Sequence, residues 1–243
     1  MKTNMLPSAP SIDHLSATQQ GARRWLLREI LGCIMVAALL FVPAGRLDWP
    51  MGWALVALYV VWVAVTALLL MPRSPALLAE RVTHRFSAKR WDNVILSIYG
   101  VMTLVKLIVA GSDFRYGWTP PLLLAVQIAA FVVATLGYAL VTWAMMANAF
   151  FALANRIQSD RGHTVATSGP YRYVRHPGYV GSIVFELATP LLLGSFWALL
   201  PGALSALLMM VRTALEDRTL QIELAGYVDY AQRVRYRLLP GVW

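Results

Sequence analysis

The sequence predicts an all-α, polytopic integral membrane protein with about six (five to six) transmembrane helices. Of its 243 residues, 58% are hydrophobic and 14% are charged, which lies outside the usual composition of soluble domains. Six apolar segments approach the roughly 20 residues that a helix needs to cross a bilayer. Lysine and arginine are concentrated in alternate connections between these segments. The spans use most of the chain, so we expect no large soluble domain.

A polar segment, residues 1–24, precedes the first span and is predicted to be a cytoplasmic N-terminal arm. Residues 25–152 then hold transmembrane helices one to four. The second of these carries Trp and Tyr residues suited to a membrane interface, and the fourth can continue as helix past Phe151. The four spans are expected at about 26–44, 50–71, about 93–111 and 119–140.

The last two apolar segments, about 178–193 and 196–215, are separated only by Gly194 and Ser195. A connection this short predicts a tight helical hairpin, since neighbouring antiparallel helices are joined by short loops. The residues that follow are predicted to form a cytoplasmic amphipathic C-terminal helix.

The distribution of basic residues predicts the topology. With six spans, the four regions on one side carry 4, 5, 4 and 5 Lys or Arg residues, whereas the opposite loops hold Arg46 and Arg115. This 18-to-2 split is a strong positive-inside signal and predicts that both termini are cytoplasmic. The net charge of +9 then reflects topology and anionic lipid rather than nucleic acid. Lys106 lies near the end of its span and is expected to snorkel.

The sequence predicts neither a disulfide framework nor a metal site. Its single cysteine, Cys33, lies in an apolar run and is expected to be a small core residue. His14, His84 and His163 do not form a spaced ligand set with carboxylates, so we predict no metal.

The segment GPYRYVRHPGYVG, residues 169–181, combines turn-forming and polar residues at the start of the fifth apolar segment. Pro177 suits the first position of a helix, and the free N–H groups of that helix could bind an anion. Arg175 and His176 add charge and hydrogen bonds beside it. The alternative is a simple helix start beside lipid headgroups, with interfacial tyrosines.

A second polar cluster lies within residues 211–230. Arg212 and Glu216 are four residues apart on one helical face and are predicted to form an ion pair, and Glu223 lies seven residues further on the same face. Arg212 follows an apolar run, where a charge costs roughly 2.5–3.5 kcal/mol on insertion scales. The alternative is a solvated amphipathic helix with routine surface pairs.

Together these motifs resemble the isoprenylcysteine carboxyl methyltransferase family, which overlaps in pattern with membrane phospholipid methyltransferases. The likeness covers about residues 155–243 and rests on the Arg-His-Pro loop, the hairpin, Arg212 with Glu216, and the C-terminal segment AGYVDYAQRVRYRLLPGVW. It implies that residues 153–243 form a methyltransferase core that binds S-adenosylmethionine and releases S-adenosylhomocysteine. A lipophilic or lipidated acceptor would enter from the bilayer, and the active site would be cytoplasmic, at the inner membrane if the source is bacterial.

The resemblance also implies roles for individual residues. Arg212 and Glu216 match the pair that positions the substrate in this family, while Asp217 replaces a second glutamate that is common there. Residues 163–168 would border the adenine. The residues that the resemblance, together with the anion-binding argument, assigns to the cofactor are His163, Val165, Gly169, Pro170, Tyr171, Arg175, His176, Pro177, Tyr179, Gly181 and Glu223.

A working mechanism follows from these assignments. His176 and the helix start at Pro177 would bind the cofactor carboxylate, and Glu216 or Glu223 would bind its amino group. Arg212, oriented by Glu216, would hold an acidic acceptor. An ionised carboxylate needs no strong general base, so O-methylation is favoured over N- or S-methylation. The residues expected to line the substrate pocket are Glu186, Asn148 and Trp143.

Three other functions stay open at this stage. The chain could be a phospholipid N-methyltransferase, or an NADPH-dependent sterol or enone reductase, since such enzymes share a related C-terminal pattern. It could also be a non-catalytic membrane accessory protein. The sequence leaves the acceptor and the oligomeric state open.

Overall fold

The computed structural model describes residues 12–83 and 89–243, and all regular structure in these two ranges is helical. The predicted all-α class is therefore confirmed. Two short 3-10 helices, Ser159–Arg161 and Gly169–Arg172, lie in the connection before the hairpin. The α-helices are α1 (Ile12–Ala44), α2 (Pro50–Leu70), α3 (Pro75–Thr83), α4 (Arg90–Tyr116), α5 (Leu124–Ala147), α6 (Pro177–Leu192), α7 (Leu199–Glu223) and α8 (Tyr227–Arg233).

Five of the described helices are long and apolar enough to cross a membrane: α1, from Thr18, and α2, α4, α5 and α7. The chain is thus an integral membrane protein. The predicted fifth span forms α6, which has 16 residues and is about 24 Å long at 1.5 Å per residue. It is shorter than a full crossing and packs between its longer neighbours α5 and α7.

The N-terminal half differs from the prediction in two places. Helix α1 begins at Ile12 rather than near residue 26, and residues 1–11 of the predicted arm lie outside the described residues. Helix α3 was not predicted, because a nine-residue helix carries too short an apolar pattern to stand out. It packs on α1, where Leu77 and Leu78 are fully buried beside Trp25.

The predicted hairpin is confirmed, and α7 extends further than expected. Gly194, with φ of 75°, supplies the left-handed turn that ends α6 and that favours glycine. Helix α7 then continues without a break from the apolar run through Arg212 to Glu223. The expected amphipathic helix is therefore the last third of the final span, followed by the seven-residue α8.

A close helix crossing joins α5 to α6 at two glycines. A Cβ atom on Gly181 would lie 2.4 Å from the carbonyl oxygen of Gly137 and 2.8 Å from a methyl carbon of Val141. Small residues at such crossings let two membrane helices approach closely. Gly181, predicted to contact a cofactor, packs instead against the backbone of α5 and does not line the cavity described below.

A buried ion pair links α4 to α6 at membrane depth. Lys106 Nζ lies 2.6 Å from Glu186 Oε2, with side chains 0% and 2% exposed. Tyr99 donates a 3.0 Å hydrogen bond to the other carboxylate oxygen. The prediction that Lys106 snorkels to the interface is therefore wrong, because its ammonium group is buried in an ion pair with the Glu186 carboxylate. Glu186, predicted to line the substrate pocket, is instead committed to this pair.

We predict that Gly181→Ala lowers the free energy of unfolding by about 1–3 kcal/mol through overpacking, because its methyl group would clash with the α5 backbone. Thermal unfolding of the purified protein in detergent measures this loss.

The matched control is Gly100→Ala in α4, where an added Cβ meets nothing within 4 Å. This substitution should be neutral or stabilising, since alanine favours helix over glycine by up to about 1 kcal/mol. Equal unfolding temperatures for the two variants would contradict the packing role.

Candidate active site

A cavity of about 310 Å³ lies where α4 begins, α5 ends, α6 begins and α7 ends. Its volume falls at the lower end of the range for ligand clefts, about 300–1,000 Å³. All of these helix ends lie on the predicted cytoplasmic side. The predicted site residues that line the cavity are His163, Val165, Tyr171, Arg175, His176, Tyr179, Asn148, Arg212 and Glu216.

The Arg-His-Pro loop is held in place by the C-terminal segment. The backbone N–H of Arg175 donates to Tyr236 O at 2.9 Å, and that of His176 donates to Arg237 O at 3.0 Å. Pro177 then occupies the first turn of α6, as predicted, although it does not line the cavity. The loop therefore takes its shape from residues some 60 positions further along the chain.

Asp217 is the centre of this assembly. Its carboxylate is fully buried and accepts hydrogen bonds from Arg175 Nε at 2.7 Å and Nη2 at 3.0 Å. Arg237 Nε and the Tyr227 hydroxyl each donate to it at 2.9 Å. One carboxylate thus joins α7, the loop, α8 and the C-terminal tail.

Arg175 acts as a structural link and not as a free ligand-binding cation. Besides the two bonds to Asp217, its Nη1 donates to the backbone carbonyls of Val234 at 2.9 Å and Arg235 at 2.8 Å. Its nitrogens are therefore committed within the protein. The side chain also lines the cavity, so the prediction that Arg175 contacts a cofactor stays a prediction.

His176 is oriented so that one ring nitrogen is anchored and the other faces the cavity. Nε2 lies 3.2 Å from Asp217 Oδ1 and 3.3 Å from the Tyr227 hydroxyl. Nδ1 lies 3.9 Å from Glu216 Oε1, and the ring stacks on Tyr179. Anchoring of Nε2 leaves Nδ1 available for a ligand.

Arg212 pairs with Asp92 rather than with Glu216, which corrects the predicted ion pair. Its Nε lies 2.7 Å from Asp92 Oδ1, and its Nη2 donates to Leu153 O at 2.7 Å. Asp92 is in the first turn of α4, fully buried, and also accepts the Asn155 backbone N–H. Within the described part of the chain, Arg212 Nη1 makes no hydrogen bond.

Glu216 faces the cavity with one of its oxygens already bonded. The Tyr179 hydroxyl donates to Glu216 Oε2 at 2.5 Å, and the carboxylate side chain is 21% exposed. Arg212 also lies over the Tyr179 ring, 5.3 Å from its centroid. Tyr179 therefore stands between the two residues that the sequence expected to contact each other directly.

The loop between α5 and α6 adds an aromatic wall. His163 stacks on Phe150 with ring centroids 4.5 Å apart, and Val165 lies beside it in the cavity lining. Burial and the nearby Arg161 lower the pKa of His163, so this ring is neutral at neutral pH. Asn148 donates to the Tyr171 hydroxyl at 3.2 Å, and burial raises the pKa of Tyr171.

The remaining predicted site residues lie outside the cavity. Glu223 is exposed and pairs with Lys89 at 2.5 Å, so it does not reach a ligand there. Gly169, with φ of 57°, packs against the exposed Trp143. The complete set of predicted residues absent from the lining is Gly169, Pro170, Pro177, Gly181, Glu223, Glu186 and Trp143.

Several residues that line the cavity, or that hold a lining residue in place as Asp92 holds Arg212, were not predicted. Asp92 is the acidic residue in the first turn of α4, a membrane span. A carboxylate in that position was the sequence feature that could have indicated a buried partner. Tyr227 and Tyr230 lie in α8, and Arg81 lies in the unpredicted α3. The deep end of the cavity is apolar and aromatic, lined by Trp62, Leu96, Tyr99, Tyr138, Val141 and Met209.

We predict that Asp217→Ala costs about 3–5 kcal/mol of unfolding free energy, because it leaves the buried Arg175 without its counter-charge. Thermal unfolding in detergent measures the loss, and faster proteolytic cleavage near the loop should accompany it.

Asp229→Ala in α8 removes an exposed carboxylate and should cost less than about 1 kcal/mol. An unfolding temperature for Asp217→Ala equal to that of Asp229→Ala would show that the buried cluster contributes nothing to stability.

Sequence comparison finds similar proteins for the part of the chain that includes the Arg-His-Pro loop. A model of the isoprenylcysteine carboxyl methyltransferase family matches residues 125–222, which include α6, the Arg-His-Pro loop and most of α7. The Protein-S-isoprenylcysteine O-methyltransferase of Schizosaccharomyces pombe is 49% identical over 37 residues, which are 15% of this chain and 16% of that protein. The match thus spans less than a fifth of that relative's length. The resemblance to the isoprenylcysteine carboxyl methyltransferase family that the motifs predict is therefore confirmed over residues 125–222, which include part of the cavity lining.

Proposed function

We propose that this protein is an integral-membrane methyltransferase that uses S-adenosylmethionine and methylates the carboxylate of a lipophilic acceptor. The observation that carries the proposal is the composition of the cavity. Its outer end presents His176, Glu216 and Arg212, and its deep end is apolar and lies between membrane helices. One chamber can therefore hold a polar donor and an apolar acceptor together.

The polar end suits the groups that the donor carries. His176 Nδ1 and the Gly178 N–H, in the first turn of α6 where amides lack helical acceptors, would hold its carboxylate. Glu216 would hold its ammonium group. Phe150, His163 and Val165 offer an apolar and aromatic wall for the adenine. When bound, S-adenosylmethionine supplies an electrophilic methyl group on a sulfonium.

The acceptor would be held by Arg212. Asp92 and Leu153 fix two nitrogens of its guanidinium, which leaves Nη1 for a carboxylate oxygen. Such a carboxylate is ionised at neutral pH, so the residues of the site need not remove a proton. Their task is alignment, and good alignment can supply roughly 7–11 kcal/mol of the barrier reduction.

The cavity is proposed to open at the cytoplasmic side. The cluster of Asp217, Arg175 and Arg237 lies at that end, together with the loops that carry most of the Lys and Arg residues. The apolar end is proposed to receive the acceptor from the inner leaflet.

We expect S-adenosylhomocysteine, and not NADPH, to raise the unfolding temperature of the detergent-solubilised protein, because a ligand that binds the folded state stabilises it. Transfer of a labelled methyl group to an S-isoprenylcysteine should give a product that releases label on mild alkaline treatment, as esters do. Stabilisation by NADPH alone would support the reductase alternative. An alkali-stable product would support N-methylation.

We predict that Arg212→Ala lowers turnover by at least a hundredfold and changes S-adenosylhomocysteine affinity by less than threefold. Asp92→Asn should lower turnover by tenfold or more, since a neutral amide no longer fixes the guanidinium by charge. Initial rates and equilibrium binding in detergent measure both effects.

Arg218→Ala is the control, because Arg218 lies on the same helix and is exposed. It should retain full turnover. Parallel loss of donor affinity and turnover in Arg212→Ala would assign Arg212 to the donor and overturn the assignment.

A further inference from the structure

We propose that Arg81, in α3, binds the carboxylate of the acceptor, so that two guanidinium groups from opposite sides of the cavity grip one anionic group. This inference rests on the proposed function and extends it to a residue outside the matched family region, 125–222. The site would accept a small amphiphile with a carboxylate beside an apolar chain.

The backbone of α3 places Arg81 firmly. Leu77 and Leu78 are 1% and 0% exposed and pack in the same cluster as Trp25. Arg28 Nη1 donates a 2.9 Å hydrogen bond to the carbonyl oxygen of Arg81. The side chain then reaches the cavity, which it lines together with Trp62. A guanidinium that starts from so fixed a point has a restricted range.

Arg81 is partly buried and differs from Arg175 and Arg212, the two buried arginines that line the cavity. Arg175 pairs with Asp217, and Arg212 pairs with Asp92. Arg81 Nε is buried without a hydrogen-bond partner among the described residues, and its guanidinium lies 5.6 Å from the centroid of the Phe151 ring. Residues 84–88, which lie outside the described ranges, include no Asp or Glu.

The charge on Arg81 persists at neutral pH. Burial, with smaller contributions from Arg28 and Arg212, lowers its pKa to about 10 against the opposing effect of the Glu29 carboxylate, and this value is still well above neutrality. Glu29 gives Arg81 a nearby negative charge, but Nε is buried without a hydrogen-bond partner among the described residues. Buried polar groups almost always have such partners, and leaving one unpaired is costly. An anionic ligand in the cavity would remove this cost.

Position favours the acceptor over the donor as the source of that anion. The Phe151 ring lies between Arg81 and the start of α6, since a Cβ on Gly178 would be 2.5 Å from it. This ring packs both in the cluster that contains Trp62 and Val141 and in a second cluster that contains Tyr171 and Val165. Helix α3, which carries Arg81, packs through Leu77 and Leu78 in the first of these, and Trp62 and Val141 line the apolar end. The first turn of α6 is the proposed place of the donor carboxylate. Arg81 therefore faces the acceptor's side.

The two guanidinium groups approach the same stretch of chain. Arg81 lies over Phe151, and Arg212 donates to Leu153 O. Both side chains also line the same cavity. A carboxylate placed between them would meet one cation on each side and would be fixed in orientation.

The test measures binding rather than turnover. The probes are N-acetyl-S-farnesylcysteine and its neutral carboxamide, with the full-length protein in detergent. We expect the unsubstituted protein to bind the carboxylate at least tenfold more tightly than the amide. Arg81→Gln should weaken carboxylate binding at least tenfold and leave amide binding within twofold. Arg81→Lys, which keeps a positive charge, should keep part of the preference for the carboxylate over the amide.

The control is Arg73→Gln, which removes an exposed cation just before α3 and should change neither affinity. S-adenosylhomocysteine affinity should stay within twofold in every variant. If Arg81→Gln loses S-adenosylhomocysteine instead, the anion belongs to the donor and the inference fails. Equal binding of acid and amide by the unsubstituted protein also overturns it.

Two further outcomes keep this inference apart from the proposed function. A lysophospholipid that displaces the farnesylcysteine from the unsubstituted protein, but not from Arg81→Gln, would assign Arg81 to a phosphodiester and overturn the carboxylate assignment. An Arg81-dependent preference for the acid without any methyl transfer would support the anion site and count against the proposed methyltransferase.

Discussion

The hydrogen-bonded carboxylate of Asp217 is the interaction on which the end of the molecule that carries the candidate site depends. It is fully buried and joins Arg175, Arg237 and Tyr227. These partners come from the loop before α6, the C-terminal tail and α8, none of which has a long apolar face of its own. The buried negative charge of Asp217 is thereby compensated by Arg175, which is also buried, while Arg237 stays 33% exposed to solvent. The shape of the Arg-His-Pro loop is therefore a consequence of charge neutralisation in a dry interior.

The same rule determines how the membrane helices meet. Lys106 of α4 pairs with Glu186 of α6, and Asp92 of α4 pairs with Arg212 of α7. Each pair connects helices that are distant in sequence, because a charge at membrane depth must find its partner across a helix interface. Helix α4 is thereby fixed against both helices of the hairpin. Arg81 of α3 is different, because its buried Nε has no hydrogen-bond partner among the described residues.

The sequence predicted the spans well and the partners poorly, and the reason is physical. Apolar length and basic loops depend on each segment alone, so α2, α5 and the hairpin could be read from composition. The Arg212–Glu216 pair followed from helical spacing, which compares residues on one helix. The actual partner, Asp92, lies 120 positions earlier, and no local pattern carries that information. The sequence shows Asp217 as a departure from the family motif. Its partners Arg175, Arg237 and Tyr227 are brought together only by the fold, so its central role could not be predicted.

Glu216 and Arg212 remain four residues apart on one face of α7, yet the structure separates their tasks. Tyr179 donates a hydrogen bond to one oxygen of Glu216, and Asp92 forms an ion pair with Arg212. Had the two paired directly, they would have used these hydrogen-bonding atoms on each other. Because each is held by a different neighbour, Oε1 of Glu216 and Nη1 of Arg212 make no hydrogen bond among the described residues, and both side chains line the cavity. On the proposed function, Glu216 binds the ammonium group of the donor and Arg212 binds the carboxylate of the acceptor, so the two ligands lie next to each other, each at its own residue.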